Sequence, residues 1–246
     1  MAQVEGKNPV LEFLRSGAEA RWIRVAEGLE RDPVIREVLG LAEERGIPVE
    51  IVPRSELRRL STTSREQGVI AMASAPGYAS LGQILEKKTG SVFVLVLDMV
   101  QDPQNLGSIL RTGEATGVDV VVIPRHGSVG ITPVVHRVSM GGSTIVPVAR
   151  ENLFNSLKLL KDEGVKVIAL DQSGSTDYFD VDLRGSLALV LGGEDKGVSQ
   201  PLLERSDTIV RVPMIGKLQS LNVGVAAAVV MYERIRQLRQ ETRQKD

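Results

Sequence analysis

The chain has 246 residues, enough for two domains that each bury their own core. Apolar residues make up 42% and charged residues 25%, values typical of a globular protein and not of a disordered or fibrous one. With 30 basic and 31 acidic side chains the net charge is -1, so the chain lacks the basic excess that phosphate contacts normally leave in a nucleic-acid-binding protein.

The residue types that are missing narrow the chemistry. There is no cysteine, and His126 and His136 are the only histidines. We therefore expect no disulfide, no thiolate nucleophile and no bound metal. No stretch reaches about 18 consecutive apolar residues, so we expect no membrane partner and a cytoplasmic location.

The first third of the chain predicts a small α/β domain. The pattern indicates a short helix over 8–15, a strand in RWIRVAEG, a helix over 33–44, and strands in PVEIVP and GVIAMAS. We assign residues 1–75 to this N-terminal domain and 76–89 to a linker, whose short helix could equally belong to the second domain. Between the last two predicted strands, the segment PRSELRRLSTTSR contains four arginines. A solvated surface or loop explains them as well as an RNA-binding patch does: Arg54, Arg58, Arg59 and Arg65.

The remainder, residues 90–246, predicts a parallel sheet covered by helices. Near-continuous apolar runs such as VFVLVLD, DVVVIP, TIVPVA, KVIALD, SLALVLGG and TIVRVP are typical of strands buried on both faces. Helices are predicted over 105–116 and 153–163, and the last helix is apolar in its first half and charged in its second. The predicted fold class is therefore α/β, with a parallel-sheet domain after a smaller α/β domain.

Ligands of open α/β sheets gather at the carboxyl ends of the strands, which directs attention to three loops. The first leads into a helix with Asn105 at its start and Arg111 nearly two turns later; a helix cap and an exposed arginine would explain both equally well. In the second, Gly192 and Gly193 allow the backbone to approach a ligand closely. This loop matches neither a dinucleotide fingerprint nor a P-loop, which disfavours a dinucleotide or triphosphate cofactor and, with it, a dehydrogenase.

The third loop, PMIGKLQSLN, places Ser220 and Asn222 at the start of the last helix. Either side chain could cap that helix, and a capping role is compatible with a catalytic one. Neither histidine has a carboxylate partner that the sequence identifies, so a serine-hydrolase site is not predicted.

Taken together, the three loops resemble the three motifs of the SpoU (TrmH-like) branch of the SPOUT RNA 2'-O-ribose methyltransferases. The matching segments are NLGSILRT at 105–112, LVLGGEDKG at 189–197 and VPMIGKLQSLNVGVA at 212–226. The opening EGKNPVLEFLRSG and the later QGVIAMAS are similar to the ribosomal-protein-like RNA substrate-binding domain of many bacterial members. The likeness thus extends over nearly the whole chain.

The resemblance implies a trefoil-knotted C-terminal domain and S-adenosylmethionine as the cofactor. It implies a homodimer formed through the knotted domain, with the C-terminal helix in the interface. In the family the methyl donor is held largely by backbone groups, and the matching positions and their neighbours here are Gly192, Val212, Leu221, Leu191, Gly193, Pro213, Met214 and Ser220. No metal is implied.

The catalytic positions carried over from the family are Arg111, Asn105, Glu194, Ser220 and Asn222. Arg111 matches the arginine proposed as the catalytic base. Since guanidinium groups are poor bases at neutral pH, Arg111 could instead orient the 2'-hydroxyl and stabilise negative charge on its oxygen.

The predicted function is methylation of a ribose 2'-hydroxyl in RNA, with a guanosine in 23S rRNA as the predicted target. A tRNA 2'-O-methyltransferase and an antibiotic-resistance rRNA methyltransferase are the alternatives within the same branch. A non-catalytic RNA-binding module is the alternative from another class, and the presence of Arg111, Glu194 and Asn222 together argues against it.

Overall fold

A computed structural model describes residues 3–15, 17, 19–62, 65–73, 77–194 and 196–245. Contacts divide the chain into two compact units, one of residues 1–77 with 131–144 and one of residues 78–130 with 145–246. The predicted end of the first domain at residue 75 falls among residues 74–76, which lie outside the described residues. Among the helices that are described, none is long and apolar enough to cross a membrane.

The first unit is built on a four-stranded mixed sheet with the order β1-β4-β2-β3. Its N-terminal part comprises β1 (Gln3–Glu5), α1 (Lys7–Arg15), β2 (Ala20–Ala26), α2 (Pro33–Glu44), β3 (Val49–Val52), α3 (Arg54–Leu60) and β4 (Val69–Ala73). Strands β2 and β3 are parallel, and β4 pairs antiparallel with both β1 and β2. This arrangement confirms the small α/β domain predicted from the sequence.

Helix α2 shows why the local sequence folds as predicted. The Asp32 carboxylate accepts hydrogen bonds from the backbone N–H groups of Val34 (3.0 Å) and Ile35 (3.2 Å), and proline occupies the first helical turn. An ion pair of 2.6 Å joins Asp32 to Lys7 at the start of α1. The Asp32 carboxylate therefore caps α2 and also binds the side chain of the first residue of α1.

The second unit contains a seven-stranded, entirely parallel sheet with the order β7-β6-β5-β10-β8-β11-β9. Its elements are α4 (Leu81–Lys87), β5 (Phe93–Asp98), α5 (Pro103–Ala115), β6 (Val120–Pro124), β7 (Val148–Glu151), α8 (Leu153–Asp162), β8 (Lys166–Leu170), β9 (Thr176–Asp177), a 3-10 turn (Tyr178–Asp180), β10 (Leu187–Gly192), α9 (Gln200–Leu203), β11 (Thr208–Arg211) and α10 (Val223–Lys245). Between β6 and β7 the chain forms α6 (Pro133–Ser139) and α7 (Gly142–Ile145), which belong to the first unit except for Ile145. Every residue of β5 and β10 is buried, as the apolar runs predict. The parallel-sheet α/β fold class is confirmed.

Helix α4 settles an alternative that the sequence left open. Its Leu81 is fully buried in the core of the second unit, and Ile84 and Leu85 pack against the same core. The backbone N–H of Leu81 also donates to the Glu151 carboxylate at 2.9 Å. The helix within the predicted linker therefore belongs to the second unit.

Two local predictions are wrong. The helix expected from Asn105 begins at Pro103, because the side chain of Asp102 accepts a hydrogen bond from the Gln104 backbone N–H (2.8 Å) and caps the helix instead. The strand expected in TIVPVA begins only at Val148. Its first residues belong to α7, which follows the left-handed turn at Met140.

Candidate functional site

The sheet order places a crevice at the carboxyl ends of β5 and β10. From β5 the chain proceeds to β6 and β7 on one side, whereas β10, β8 and β11 lie on the other. Such a change of direction between neighbouring parallel strands opens a ligand crevice at their carboxyl ends. The loop after β5 and the loop after β10 are two of the three loops singled out in the sequence.

Three predicted site residues meet in this crevice. The Asn105 side-chain amide donates to Glu194 Oε1, and its oxygen accepts a hydrogen bond of 2.9 Å from Asn222 Nδ2. The three side chains come from α5, from the loop after β10 and from the residue before α10. A polar network thus joins segments 89 and 117 residues apart in sequence.

Local structure explains why these side chains are available to each other. Because Asp102 caps α5, the buried amide of Asn105, which is 7% exposed, can use both its donor and its acceptor in the network. Asn222 caps α10, since its Oδ1 accepts from the backbone N–H groups of Gly224 (2.9 Å) and Val225 (3.3 Å). Its amide nitrogen remains free to donate to Asn105.

The glycines of the second loop are required by the protein's own backbone. A Cβ atom at Gly192 would collide with the main chain of Gly197, and one at Gly193 would lie 2.5 Å from the carbonyl oxygen of Met99. Gly197 itself has φ of +65° and donates its N–H to the Gly193 carbonyl at 3.1 Å. The loop therefore folds back on itself as a tight turn that leaves no room for a side chain at Gly192 or Gly193.

Carboxylates at the ends of two other strands hold this turn, and the sequence analysis missed both. Asp98, at the end of β5, is buried and accepts from the Ser199 backbone N–H at 2.8 Å. Asp171, just after β8, accepts from the Val198 backbone N–H at 3.2 Å. Both follow apolar runs in LVLD and IALD, and an acid at the end of a buried strand is the signal that could have identified them.

Most main-chain groups of the third loop have no hydrogen-bond partner among the described residues. Gln172 donates to the carbonyl oxygen of Val212 at 3.3 Å, which ties the start of this loop to the end of β8. With none of the described residues does the backbone of 213–221 form a hydrogen bond. This segment holds four of the predicted cofactor-binding residues, whose C=O groups and, except at Pro213, N–H groups have no partner among the described residues: Pro213, Met214, Ser220 and Leu221.

Main-chain donors and acceptors that have no partner among the described residues suit an adenine ring. The edge of adenine carries both hydrogen-bond donors and acceptors, and backbone groups can pair with it without any titratable side chain. The predicted positions Leu191 and Gly192 are buried at the end of β10.

Two predicted catalytic residues stay outside the polar network. Arg111 lies on α5 with an exposed side chain that forms no hydrogen bond or ion pair with any described residue. Ser220 is exposed in the third loop and likewise has no partner among the described residues. The structure therefore brings together Asn105, Glu194 and Asn222, and leaves Arg111 and Ser220 accessible.

A buried arginine fixes the helix that carries Asn222 at its start. Arg234, on α10, is 4% exposed and donates to the carbonyl oxygens of Leu183 and Gly185 (2.8 Å for the latter). Its guanidinium lies 4.7 Å from the ring centre of Phe93, and burial lowers its pKa. These contacts hold α10 in register against the sheet. Sequence reasoning missed this residue because it lies in the charged half of the helix.

Within the described ranges, no three histidine, aspartate or glutamate side chains are grouped so that they could hold a metal ion.

Comparison with known families gives two matches that together span most of the chain. Residues 92–232 match the SpoU rRNA Methylase family. Residues 3–79 match the family described as RNA 2'-O ribose methyltransferase substrate binding.

Similar proteins are found in several bacteria. A protein of Bacillus subtilis named as a TrmH family tRNA/rRNA methyltransferase is 39% identical over 234 residues, which cover 94% of this chain and 93% of that protein. One of Staphylococcus aureus with the same family name is also 39% identical and is covered to 94%.

Solved structures share the fold. A crystal structure of an RNA 2'-O ribose methyltransferase has 28% identity and a TM-score of 0.64, covering 96% of this chain and 88% of that one. The SpoU methyltransferase AviRb from Streptomyces viridochromogenes, crystallised with AdoMet, has a TM-score of 0.72 at 24% identity and covers 96% and 89%. The second likeness concerns the fold alone. Together they confirm the predicted SPOUT fold class.

Proposed function

The chain belongs to the SpoU rRNA methylase family, and on that premise we propose that it methylates a ribose 2'-hydroxyl of a guanosine in 23S rRNA, with S-adenosylmethionine as the donor. The observation that carries the proposal is the polar network of Asn105, Glu194 and Asn222 at the crevice between β5 and β10. It lies beside a helix that offers one unpaired arginine, Arg111.

We assign the donor to the turn that contains Gly192, Gly193 and Gly197, and to the main-chain groups of 213–221, which have no partner among the described residues. When bound there, S-adenosylmethionine supplies a sulfonium-activated methyl carbon. The proposed donor-binding residues are those of the two loops together: Leu191, Gly192, Gly193, Val212, Pro213, Met214, Ser220 and Leu221. Support comes from the closed packing of the glycine turn and from the lack of competing partners along 213–221.

With the donor bound, the ribose O2' would take the methyl group as the carbon–sulfur bond breaks, and S-adenosylhomocysteine would leave. The proton of the 2'-hydroxyl must go to a base. We assign Arg111 to orienting the hydroxyl and stabilising negative charge on O2', because a guanidinium donates hydrogen bonds well and accepts protons poorly. Glu194, which accepts a hydrogen bond from Asn105, is the carboxylate of the network, and we assign it to receive the proton.

Helix α3 of the first unit supplies candidate contacts to RNA phosphates. Arg54, Arg58 and Arg59 are exposed on this helix, and none forms an ion pair with a described residue. Leu57 is fully buried on the opposite side and anchors the helix. Charged groups with no protein partner are free to neutralise phosphates, and the likeness of this unit to a substrate-binding family supports that use.

A second copy of the chain is the proposed partner of the C-terminal region. Val225 and Tyr232 of α10 are 51% and 55% exposed, and Ile215 and Leu218 of the preceding loop are still more exposed. Apolar side chains grouped at the surface of one helix and its loop suit a symmetric protein interface. A cytoplasmic location follows from the proposed rRNA substrate.

The experiment that tests this function uses total RNA from a strain that lacks the gene. The purified protein is incubated with this RNA and S-adenosylmethionine labelled in its methyl group, and the RNA is separated by size. We expect label in the large-subunit rRNA. Label confined to tRNA would replace the proposed substrate, and absence of label with both RNA classes present would refute the proposed activity.

A further inference from the structure

The residue after β5 adopts an unusual conformation. Met99 has φ of +60°, one of three positive values among the described residues other than glycine. Its side chain is 45% exposed. A left-handed backbone is unfavourable for a methionine, and glycine or asparagine adopts it more readily.

The conformation of Met99 is fixed by loops on both sides. Its carbonyl oxygen lies against Gly193, and its sulfur covers Gly127, where a Cβ atom would come within 2.5 Å of it. The next carbonyl, that of Val100, accepts hydrogen bonds from Ser128 Oγ (2.7 Å) and from the Val129 backbone N–H (2.9 Å). Met99 thus stands where the loops after β5, β6 and β10 meet.

This position adjoins the turn that carries Glu194. In the sheet, β5 is separated from β11 by β10 and β8, so the main-chain groups of 213–221 begin roughly 14 Å away at ~4.8 Å per strand. Glu194 directly follows the glycine that touches Met99, and α5, which carries Asn105 and Arg111, follows in the chain. A group over Met99 therefore lies beside Gly193 and the polar network, and away from the start of the third loop.

From these observations we propose that the thioether of Met99 packs against the base of the nucleotide whose ribose is methylated, and so determines RNA affinity and target choice. The inference rests on the proposed function. A strained, half-exposed apolar residue persists at a ligand crevice when its side chain is used there. The flexible, polarisable methionine side chain suits the flat face of a base.

The test compares Met99→Gly with a matched control in the full-length protein. Met140 is also a left-handed methionine, is 72% exposed and belongs to the first unit, so Met140→Gly relieves the same kind of strain elsewhere. The probe is an unmodified 23S rRNA transcript, measured by equilibrium binding and by steady-state methylation. The melting temperature and the Kd for S-adenosylmethionine are measured alongside.

We expect Met99→Gly to keep or raise the melting temperature while weakening transcript binding about tenfold, with the loss in KM and not in kcat. Met99→Leu should recover most of that affinity, and Met140→Gly should bind the transcript as the unaltered protein does. Any of four results would overturn the inference. Met99→Gly could bind the transcript within twofold of the unaltered protein, or Met140→Gly could lose as much affinity. Met99→Gly could also have a lower melting temperature or bind the donor more weakly. If the unaltered protein does not methylate RNA at all, the proposed function fails instead.

Discussion

The crevice of the second unit and helix α3 of the first unit meet their proposed ligands in opposite ways. In the crevice, glycines are packed against main chain and Asn105 is buried with both its polar groups paired. On α3, three arginines are exposed and have no ion-pair partner among the described residues. Specific chemistry in this protein therefore depends on closely packed residues, whereas general affinity for RNA requires only exposed positive charge.

The largest effect is expected from filling the tight turn. Gly192→Ala places a Cβ atom inside the main chain of Gly197, so the turn must open. We expect the Kd for S-adenosylmethionine to rise at least about a hundredfold, roughly 3 kcal/mol, as measured by calorimetry. Gly82→Ala in α4 is the control, because its Cβ atom would make only ordinary contacts at 3.8 Å or more. Unchanged binding by Gly192→Ala would show that the turn does not form the donor site.

Replacing the exposed arginine separates catalysis from stability. Since Arg111 has no partner among the described residues, Arg111→Ala should change the free energy of unfolding by less than about 0.5 kcal/mol. The same change should lower kcat about 10²- to 10³-fold if the guanidinium stabilises charge on O2'. Arg111→Lys keeps the charge but not the fork-shaped donor set, and we expect it to restore only part of the rate.

Single-turnover methylation at saturating donor measures this effect. Glu114→Ala, which alters another exposed residue of α5, is the matched variant and should retain the full rate. Equal rates for the two alanine variants would remove Arg111 from the reaction.

Two asparagine caps offer a sharper comparison. Asn222 caps α10 and joins the polar network, whereas Asn152 caps α8 by accepting from the Asn155 backbone N–H at 3.1 Å. Each alanine variant should lose about 1 kcal/mol of stability in chemical denaturation. Only Asn222→Ala should also lower kcat, by about tenfold or more. A similar loss of rate in Asn152→Ala would mean that general destabilisation explains both.

On the α3 side the expected effects are smaller and depend on salt. The triple variant Arg54→Gln, Arg58→Gln and Arg59→Gln should weaken RNA binding and reduce the slope of log Kd against log salt by roughly 2, at about 0.7 to 0.9 per lost phosphate contact. The donor Kd should not change. Filter binding over a range of salt concentrations measures the slope. An unaltered slope would place the RNA contacts elsewhere in the chain.

The smallest expected effect concerns the pH dependence of stability. Burial lowers the pKa of His136, whose Nδ1 lies 2.7 Å from Ser143 Oγ. The native state therefore binds a proton less readily than the unfolded chain, so the stability from neutral His136 is full above about pH 6.5 and declines as the pH falls. When the melting temperature is plotted against pH between pH 8 and pH 5, the curve should be flatter for His136→Gln than for the unaltered protein. Parallel curves for both proteins would contradict this.

Elements of the fold that depend on neighbouring residues could be predicted from the sequence, whereas contacts between distant residues could not. Helix α2 matches its predicted bounds, because its cap, its proline and its buried stripe are all local. The buried strands β5 and β10 are equally visible as apolar runs. By contrast, Asp98 accepts its hydrogen bond from Ser199, which is 101 residues away, and no local pattern identifies that partner.

The candidate site was predictable only in part for the same reason. Resemblance to known motifs placed Asn105, Glu194 and Asn222 in one site, and the structure joins them by hydrogen bonds. The left-handed conformation of Met99 could not be predicted, since it is imposed by loops from three strands. The capping role of Asp102 was missed because two candidate caps stand three residues apart.

The central claim, transfer of a methyl group to a ribose 2'-oxygen, is tested most directly by alkaline hydrolysis of labelled rRNA. A 2'-O-methyl group blocks cleavage of the adjoining phosphodiester bond, which requires a free 2'-hydroxyl. We predict that the label appears in alkali-resistant dinucleotides and that Arg111→Ala nearly abolishes it. Label recovered in mononucleotides would place the methyl group on a base and contradict the account.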